Sequence, residues 1–245
     1  MGYSMKMTQG LAAFVLLAAA SAAHAEFPGT FTGTITLTSD YNWRGVTQSA
    51  QDPAIQGSID YAHDSGFYAG AWASNIDFGD DSDAEAEIDL YTGFSGGETY
   101  LWDVGLVWYT YPGSNGDALD FPEVYASLGY KWIEGKISYT SNFSGLSEQA
   151  WYYEANGNFD LPLDLTLGVH LGFSDGDGIE ASYGQGNYFD WSVGVTYTLG
   201  HFDLGLKYVD GSDLKTLDGT KDDVFSSEAN VIFSVATTFP WSKDE

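Results

Sequence analysis

Residues Phe31 to Gly45 read FTGTITLTSDYNWRG, and their two faces suit two different solvents. Every second residue from Phe31 is Phe, Gly, Ile, Leu, Ser, Tyr, Trp and Gly. The interleaved Thr32, Thr34, Thr36, Thr38, Asp40, Asn42 and Arg44 include no apolar side chain. Period-two alternation marks a strand with one greasy and one wet face. The pattern returns along the whole chain, and the greasy face carries aromatics near both of its ends. A soluble sandwich would pack that face on a second sheet. A transmembrane β-barrel turns it to lipid, with aromatic girdles at the interfaces and water inside. The expected class is all-β: a transmembrane antiparallel up-and-down β-barrel.

About twelve segments alternate in this way, and each has an outward set. Ser39, Tyr41 and Trp43 extend the outward face of the first segment. Ile55, Gly57, Ile59 and Tyr61 form the second. Tyr68, Gly70, Trp72, Ile76 and Phe78 form the third, a register that keeps Asp77 off the lipid. Later sets include Ile88, Leu90 and Phe94; Tyr100, Trp102, Val104, Leu106 and Trp108; Val124, Leu128, Tyr130 and Trp132; and Ile137, Tyr139 and Phe143. Trp151, Tyr153 and Phe159 follow, then the alternate residues of Leu163 to Phe173, Phe189 to Leu199, Phe202 to Tyr208 and Val231 to Phe239. A charge facing lipid near the midplane costs roughly 2–4 kcal/mol. None of the sets contains one.

The connections alternate in length. Short turns are expected at Asp64-Ser65-Gly66, Ser95-Gly96-Gly97, Ile133-Glu134-Gly135, Asp160-Leu161-Pro162 and Gly200-His201. Longer acidic loops separate them at Val46–Pro53, Gly79–Asp83, Pro112–Pro122, Ser144–Glu148, Ser174–Gly186 and Asp210–Val224. Outer-membrane barrels have short periplasmic turns and longer outer loops, and an even strand number puts both chain ends on one side. The final strand, Val231 to Phe239, ends on an aromatic and resembles the terminal signal that outer-membrane assembly machinery reads. Pro240 to Glu245 extend beyond it.

Lys6, the apolar run Leu11 to Ala20 and Ala23-His24-Ala25 predict a secretory signal over residues 1–25. The barrel is then expected over 26–245, as one domain. The chain contains no cysteine, so strand pairing and burial must hold it without disulfides. Against 35 acids stand 8 bases, a formal charge of −27, which excludes nucleic acid as a partner.

One family resemblance is specific. Tyr41-Asn42-Trp43-Arg44-Gly45 with Gln48, then Pro53, Gln56-Gly57 and Asp60-Tyr61, then Gly66-Phe67-Tyr68-Ala69-Gly70 with Trp72 and Ser74-Asn75, resemble the amino-terminal signature of the TorF family of porin-like proteins. The resemblance implies a proteobacterial outer-membrane barrel that acts as a channel. It transfers no substrate and no catalytic residue.

Function is expected on the polar face of the strands. By alternation the lumen-lining candidates are Asp40, Asn42, Arg44, Asp60, Glu85, Glu87, Asp89, Asp103, Glu123, Glu154, Asp190 and Glu228. The bases there are Arg44, Lys131, Lys136 and Lys207, so the lumen is expected to be negative, and rings of Asp and Glu select cations in wet pores. Arg44, the only arginine, either walls a constriction or forms an interior salt bridge. Tyr91, Tyr109, Tyr111, Tyr125 and Tyr152 also face inward by parity.

The acidic stretches Gly79–Glu85, Ser174–Glu180 and Asp218–Asp223 lack EF-hand spacing and read as solvated loops, with weak bridging to lipopolysaccharide as a further role. No catalytic triad, zinc spacing or phosphate loop appears, so no enzyme, cofactor or metal is expected. The expectation is an outer-membrane channel for passive diffusion of small polar or cationic solutes. The alternative is a closed-lumen barrel with a structural or surface-interaction role.

Overall fold

The computed structural model describes residues 28–79, 82–114, 119–212, 214 and 224–241. The expected signal segment and the acidic stretch Asp218–Asp223 lie outside the described residues. The described strands, in chain order, are β1 (Thr30–Thr38), β2 (Asn42–Trp43), β3 (Val46–Thr47), β4 (Ala54–Ala62), β5 (Phe67–Asn75), β6 (Ala86–Gly96), β7 (Tyr100–Thr110) and β8 (Phe121–Tyr130). They continue with β9 (Ile133–Thr140), β10 (Ala150–Leu161), β11 (Leu165–Asp175), β12 (Asn187–Leu199), β13 (Phe202–Gly211) and β14 (Asn230–Phe239). One helix, α1 (Asp177–Tyr183), and a 3-10 turn at Phe143–Gly145 complete the set.

All strands except β2 and β3 form a closed antiparallel barrel of 12 strands. Each pairs with the next in sequence, and β14 closes on β1 through Leu37↔Val235 and Gly33↔Phe239. Closure removes the sheet edges, which leaves no unpaired backbone facing outward along the wall.

The alternation explains the wall. On β7 the exposed residues are Tyr100, Trp102, Val104, Leu106 and Trp108, with Asp103 buried between them. On β12 they are Phe189, Trp191, Val193, Val195, Tyr197 and Leu199. Aliphatic residues thus occupy the middle of the outer face and aromatics both of its ends, as in a lipid-facing belt. All long connections leave one end of the barrel and all short turns the other.

Three expectations about facing are corrected. β1 stops at Thr38, and Tyr41 and Trp43, expected outward, are buried inside at 1% and 7% exposure. On β5 the register is opposite to the expected one. Tyr68, Trp72 and Ser74 face inward, while Phe67, Ala69, Ala71 and Ala73 align with the outward Ile59, Leu90 and Ile88 of neighbouring strands. Ile76 is buried past the end of that strand. Phe143 is likewise internal. For Tyr41, Trp43, Ile76 and Phe143, apolar packing inside the long-loop half of the barrel gives as much burial as lipid would, whereas Tyr68, next to the short-turn end of β5, turns inward to hydrogen-bond Asp103 and Tyr125.

Two connections also differ. The β8–β9 turn is Lys131-Trp132, so Ile133 to Gly135 belong to strand and Glu134 points inward. Within Ser174–Gly186, expected as a loop, α1 buries Gly178, Ile179 and Tyr183, and Gly184 caps it in the left-handed region.

Inward glycines make room for tyrosines from the adjacent strand. Gly105 on β7 lies opposite Tyr125 on β8, and a Cβ there would sit 2.5 Å from the Tyr125 hydroxyl and 2.7 Å from that of Tyr68. Both hydroxyls are hydrogen-bonded to each other, and Tyr68 also donates to Asp103 at 2.6 Å. Gly105→Ala should therefore destabilise the barrel by about 1–3 kcal/mol, as overpacking does. The check is the urea midpoint for unfolding from lipid, and an unchanged midpoint would show that the tyrosine pair yields freely.

Candidate functional site: the lumen and its inward hairpin

The connection from β1 to β4 does not stand outside the barrel but folds into it. Thr38 ends the strand and Asp40 clamps the start of the inward segment. Its carboxylate accepts hydrogen bonds from Thr47 Oγ1 at 2.5 Å, Ser49 Oγ at 3.2 Å and Asn230 Nδ2 at 3.1 Å. Burial pushes the Asp40 carboxyl above its ordinary value, and these hydrogen bonds with the charge of Lys207 oppose the shift. Backbone bonds complete the anchorage: Thr47 N–H to Ser226 at 3.0 Å and Asp77 N–H to Gln48 at 2.9 Å.

β2 and β3 pair through Asn42↔Thr47 and Trp43↔Val46, so Arg44 and Gly45 form a two-residue hairpin tip. Both have positive φ, 51° and 80°, which a primed hairpin turn requires. Glycine is needed at the second position for a further reason. A Cβ on Gly45 would lie 2.6 Å from Cβ of Asp190 on β12.

The tip reaches the far wall. Going round the barrel from β1, the strand directly opposite is β9, and Arg44 contacts β8 and β10 on either side of it. Its Nη2 donates to both oxygens of Glu123 at 2.7 and 2.8 Å. Its guanidinium carbon lies 4.3 Å from the centre of the Trp43 ring and 4.2 Å from that of Tyr152. Charge pairing and cation–π contact in a dry site reinforce each other. Of the two readings open for Arg44, the geometry is an interior salt bridge. It comes from a hairpin crossing the lumen and not from the wall of β1.

Aromatic packing fills the space around the hairpin. Trp43 stacks on Phe143 at 6.1 Å and meets Tyr109 edge-on at 5.8 Å; Phe121 lies 5.4 Å from Phe143. Tyr183 of α1 meets Phe143 at 6.2 Å, and Tyr41 meets Trp72 at 5.2 Å. The long-loop half of the barrel therefore has a packed apolar core. The short-turn half is lined by small polar residues and glycines, among them Thr34, Ser58, Gly70, Ser127, Gly168, Thr196, Gly205 and Ser234, with Tyr68, Asp103 and Glu134 set among them.

The candidate acids fall into groups. Glu123 holds Arg44. Glu154 on β10 pairs with Lys136 at 3.2 Å and accepts from Asn156 at 3.0 Å. Asp190 accepts from the Tyr152 hydroxyl at 3.1 Å and meets His170 Nε2 at 2.9 Å, while His170 Nδ1 meets Asn156 Oδ1 at 2.7 Å. Asp60 accepts from Ser58 at 2.7 Å and from Tyr91. Asp103 accepts from Tyr68. Glu87 and Asp89 lie buried together on β6. Asn42 sits in the hairpin. Glu85 and Glu228, in contrast, are exposed just before β6 and β14 at the long-loop end.

Alternation alone does not reveal Glu134, which is buried inside at 7% exposure, because Ile133-Glu134-Gly135 reads as a turn whereas the turn is Lys131-Trp132. Nor does it reveal the cross-strand partners of His170, since Asp190 and Asn156 come from neighbouring strands and no spacing within one strand reveals them. Among the described residues no group of three or more His, Cys, Asp or Glu is arranged to hold a metal ion.

A family model described as a bacterial protein of unknown function, Gcw_chp, matches residues 22–239. Comparison with curated proteins finds no match. Among solved structures, the chain is similar to the NanC porin with a TM-score of 0.56 at 8% identity, covering 86% of this chain and 100% of that one. It is similar to the KdgM porin with a TM-score of 0.51 at 8% identity, covering 85% and 98% respectively. A structure of the KdgM porin in complex with disordered oligogalacturonate gives a TM-score of 0.52 at 7% identity, with 86% and 98% covered. At such identities the likeness is one of fold.

Proposed function

The chain belongs to the Gcw_chp family of bacterial proteins of unknown function, and we propose that it is a porin-like outer-membrane channel for passive diffusion of small hydrophilic solutes. One observation carries this reading: a closed barrel with an apolar outer belt encloses a wall of threonine, serine, glycine and carboxylate groups. A wall of that kind is useful only against water and what water carries. The fold shared with two porins and the TorF-like signature over Ser39 to Asn75 support it.

Export by a leader ending near Ala25 and insertion by outer-membrane assembly machinery follow from the same reading. The acidic long connections would then face outward, where divalent cations can bridge them to lipopolysaccharide. The activity is transport and not catalysis.

The solute class follows from charge. Arg44 and Lys136 are each paired with a glutamate, so the described wall offers anions little uncompensated positive charge. A polyanion such as the oligogalacturonate seen with the KdgM porin would be repelled here. Neutral polar solutes and cations would be concentrated. The hairpin and its aromatic packing restrict passage to small species.

That same packing favours a second reading, a closed-lumen barrel with a structural or surface-interaction role. Single-channel recording in planar bilayers separates the two. Discrete steps with a cation-selective reversal potential in a salt gradient are expected. Selectivity should weaken as salt rises, because the Debye length shrinks from ~10 Å at 0.1 M to ~3 Å at 1 M. Amide substitution of Asp60 and Asp103 should weaken it further. No steps at any voltage would leave the closed barrel as the better account.

A further inference from the structure

Among the described residues, one group of buried oxygens inside the barrel has no counter-charge. Glu87 and Asp89 stand two residues apart on β6, so strand geometry puts both side chains on the inner face. They are 2% and 4% exposed. The Tyr111 hydroxyl lies 3.4 Å from Glu87 Oε1, and the hydroxyl of Tyr41, carried by the inward segment and 1% exposed, lies against the same pair. Glu87 Oε2, Asp89 Oδ1 and Tyr41 Oη have no hydrogen-bond partner among the described residues.

None of the four described bases forms an ion pair with Glu87 or Asp89. Arg44 holds Glu123, Lys136 holds Glu154, Lys207 faces Asp40 and Asp190, and Lys131 sits over Tyr130 at an exposed turn. Two carboxylates taken out of water without a cation are strongly unfavourable. The Tyr41 hydroxyl, brought to them by a different segment, adds a third buried oxygen to the same place.

We propose that Glu87 and Asp89, with the hydroxyls of Tyr41 and Tyr111, form a binding site for one divalent cation of the calcium type. Two carboxylates match the charge. The donors are all oxygen, which suits a hard cation and disfavours transition metals. With fewer than three carboxylate ligands, the phenol oxygens and water complete the six to eight donors that calcium takes. Magnesium demands a near-ideal octahedron and suits this uneven set less well. Because Tyr41 belongs to the inward segment, an ion there ties that segment to the β6 wall. Occupancy does not depend on whether the lumen conducts.

The test uses the full folded chain in zwitterionic detergent, stripped of metal, with thermal unfolding followed as CaCl2 or MgCl2 is added at constant ionic strength. A saturable rise in Tm with calcium is expected, with a weaker response to magnesium. Acidic connections outside the barrel contribute a response common to all variants, so the share of this site is what Glu87→Gln with Asp89→Asn removes. The metal-free double variant should melt no lower than the metal-free parent. Tyr41→Phe, which keeps the ring packing, should raise the half-saturating calcium concentration several-fold and serves if the double variant does not fold. An equal calcium response in parent and double variant would overturn the site in favour of solvated acidic loops. No calcium response at all would overturn it in favour of a carboxylate pair sharing a proton, and so would a half-saturation point unmoved by Tyr41→Phe.

Discussion

Arg44→Ala should cost about 3–5 kcal/mol of folding stability, the usual penalty for removing one partner of a buried ion pair. The loss comes mostly from what is left behind. Glu123 would remain 2% exposed with only the Tyr109 hydroxyl, at 3.4 Å, in reach. The cation–π contacts with Trp43 and Tyr152 disappear as well. Replacing both partners by apolar residues, Arg44→Met with Glu123→Leu, should recover most of the loss, because no buried charge is then stranded. The same substitution addresses transport. The hairpin is held at its base by Asp40 and at its tip by Arg44, so losing the tip frees the end that crosses the lumen. Unitary current through Arg44→Ala should exceed that of the parent, and cation preference should rise with Glu123 unneutralised. Stability and current both unchanged would mean that the aromatic packing alone holds the hairpin and that the ion pair is incidental.

What the sequence revealed, and what it concealed, follows from one physical fact: alternation reports which face is apolar but not what covers it. On β7 and β12 the apolar face is the outer surface of the barrel, with no protein to cover it, and every outward assignment there holds. The inside of the long-loop half is also apolar, and there the inference fails. Tyr41, Trp43 and Phe143 are large and greasy, so alternation sends them outward, yet the aromatic core around Phe121 and Tyr183 buries them as fully as a membrane would; Tyr68, near the short-turn end, turns inward instead to bond Asp103 and Tyr125.

Strand length distinguishes the first of these. A spanning strand needs about 9–11 residues, and the alternation from Phe31 runs to Gly45, long enough for a strand and a second element. For β5 the choice of register rested on Asp77, which lies beyond the end of the strand and so imposes nothing on it. The inner pairings join separate elements: Arg44 crosses from the hairpin to Glu123 on β8, and His170 meets Asp190 on the neighbouring strand. The first depends on the path of the inward hairpin and the second on strand register, neither of which the spacing within one strand encodes.

The lipid face offers the most direct test of the whole architecture. Val193 lies in the middle of β12, 39% exposed, flanked across the strands by Val169 and Tyr208 and along its own strand by Trp191 and Val195. Equal numbers of residues separate it from the two ends of β12, so in a bilayer it sits near the midplane. Val193→Arg should therefore destabilise the folded barrel by roughly 2–4 kcal/mol relative to the unfolded chain in water. Thr196 is three residues away and faces inward, opposite Thr166 and Gly205, where the wall is polar and the neighbouring side chains are small. An arginine there keeps its charge in water and gains acidic company, so Thr196→Arg should cost far less. Because sequence separation is small and the charge is identical, only the facing of the two positions distinguishes them. Urea unfolding from phosphatidylcholine bilayers would measure both. Equal penalties would mean that the two faces of β12 meet the same medium, and a membrane-spanning barrel could not then be sustained.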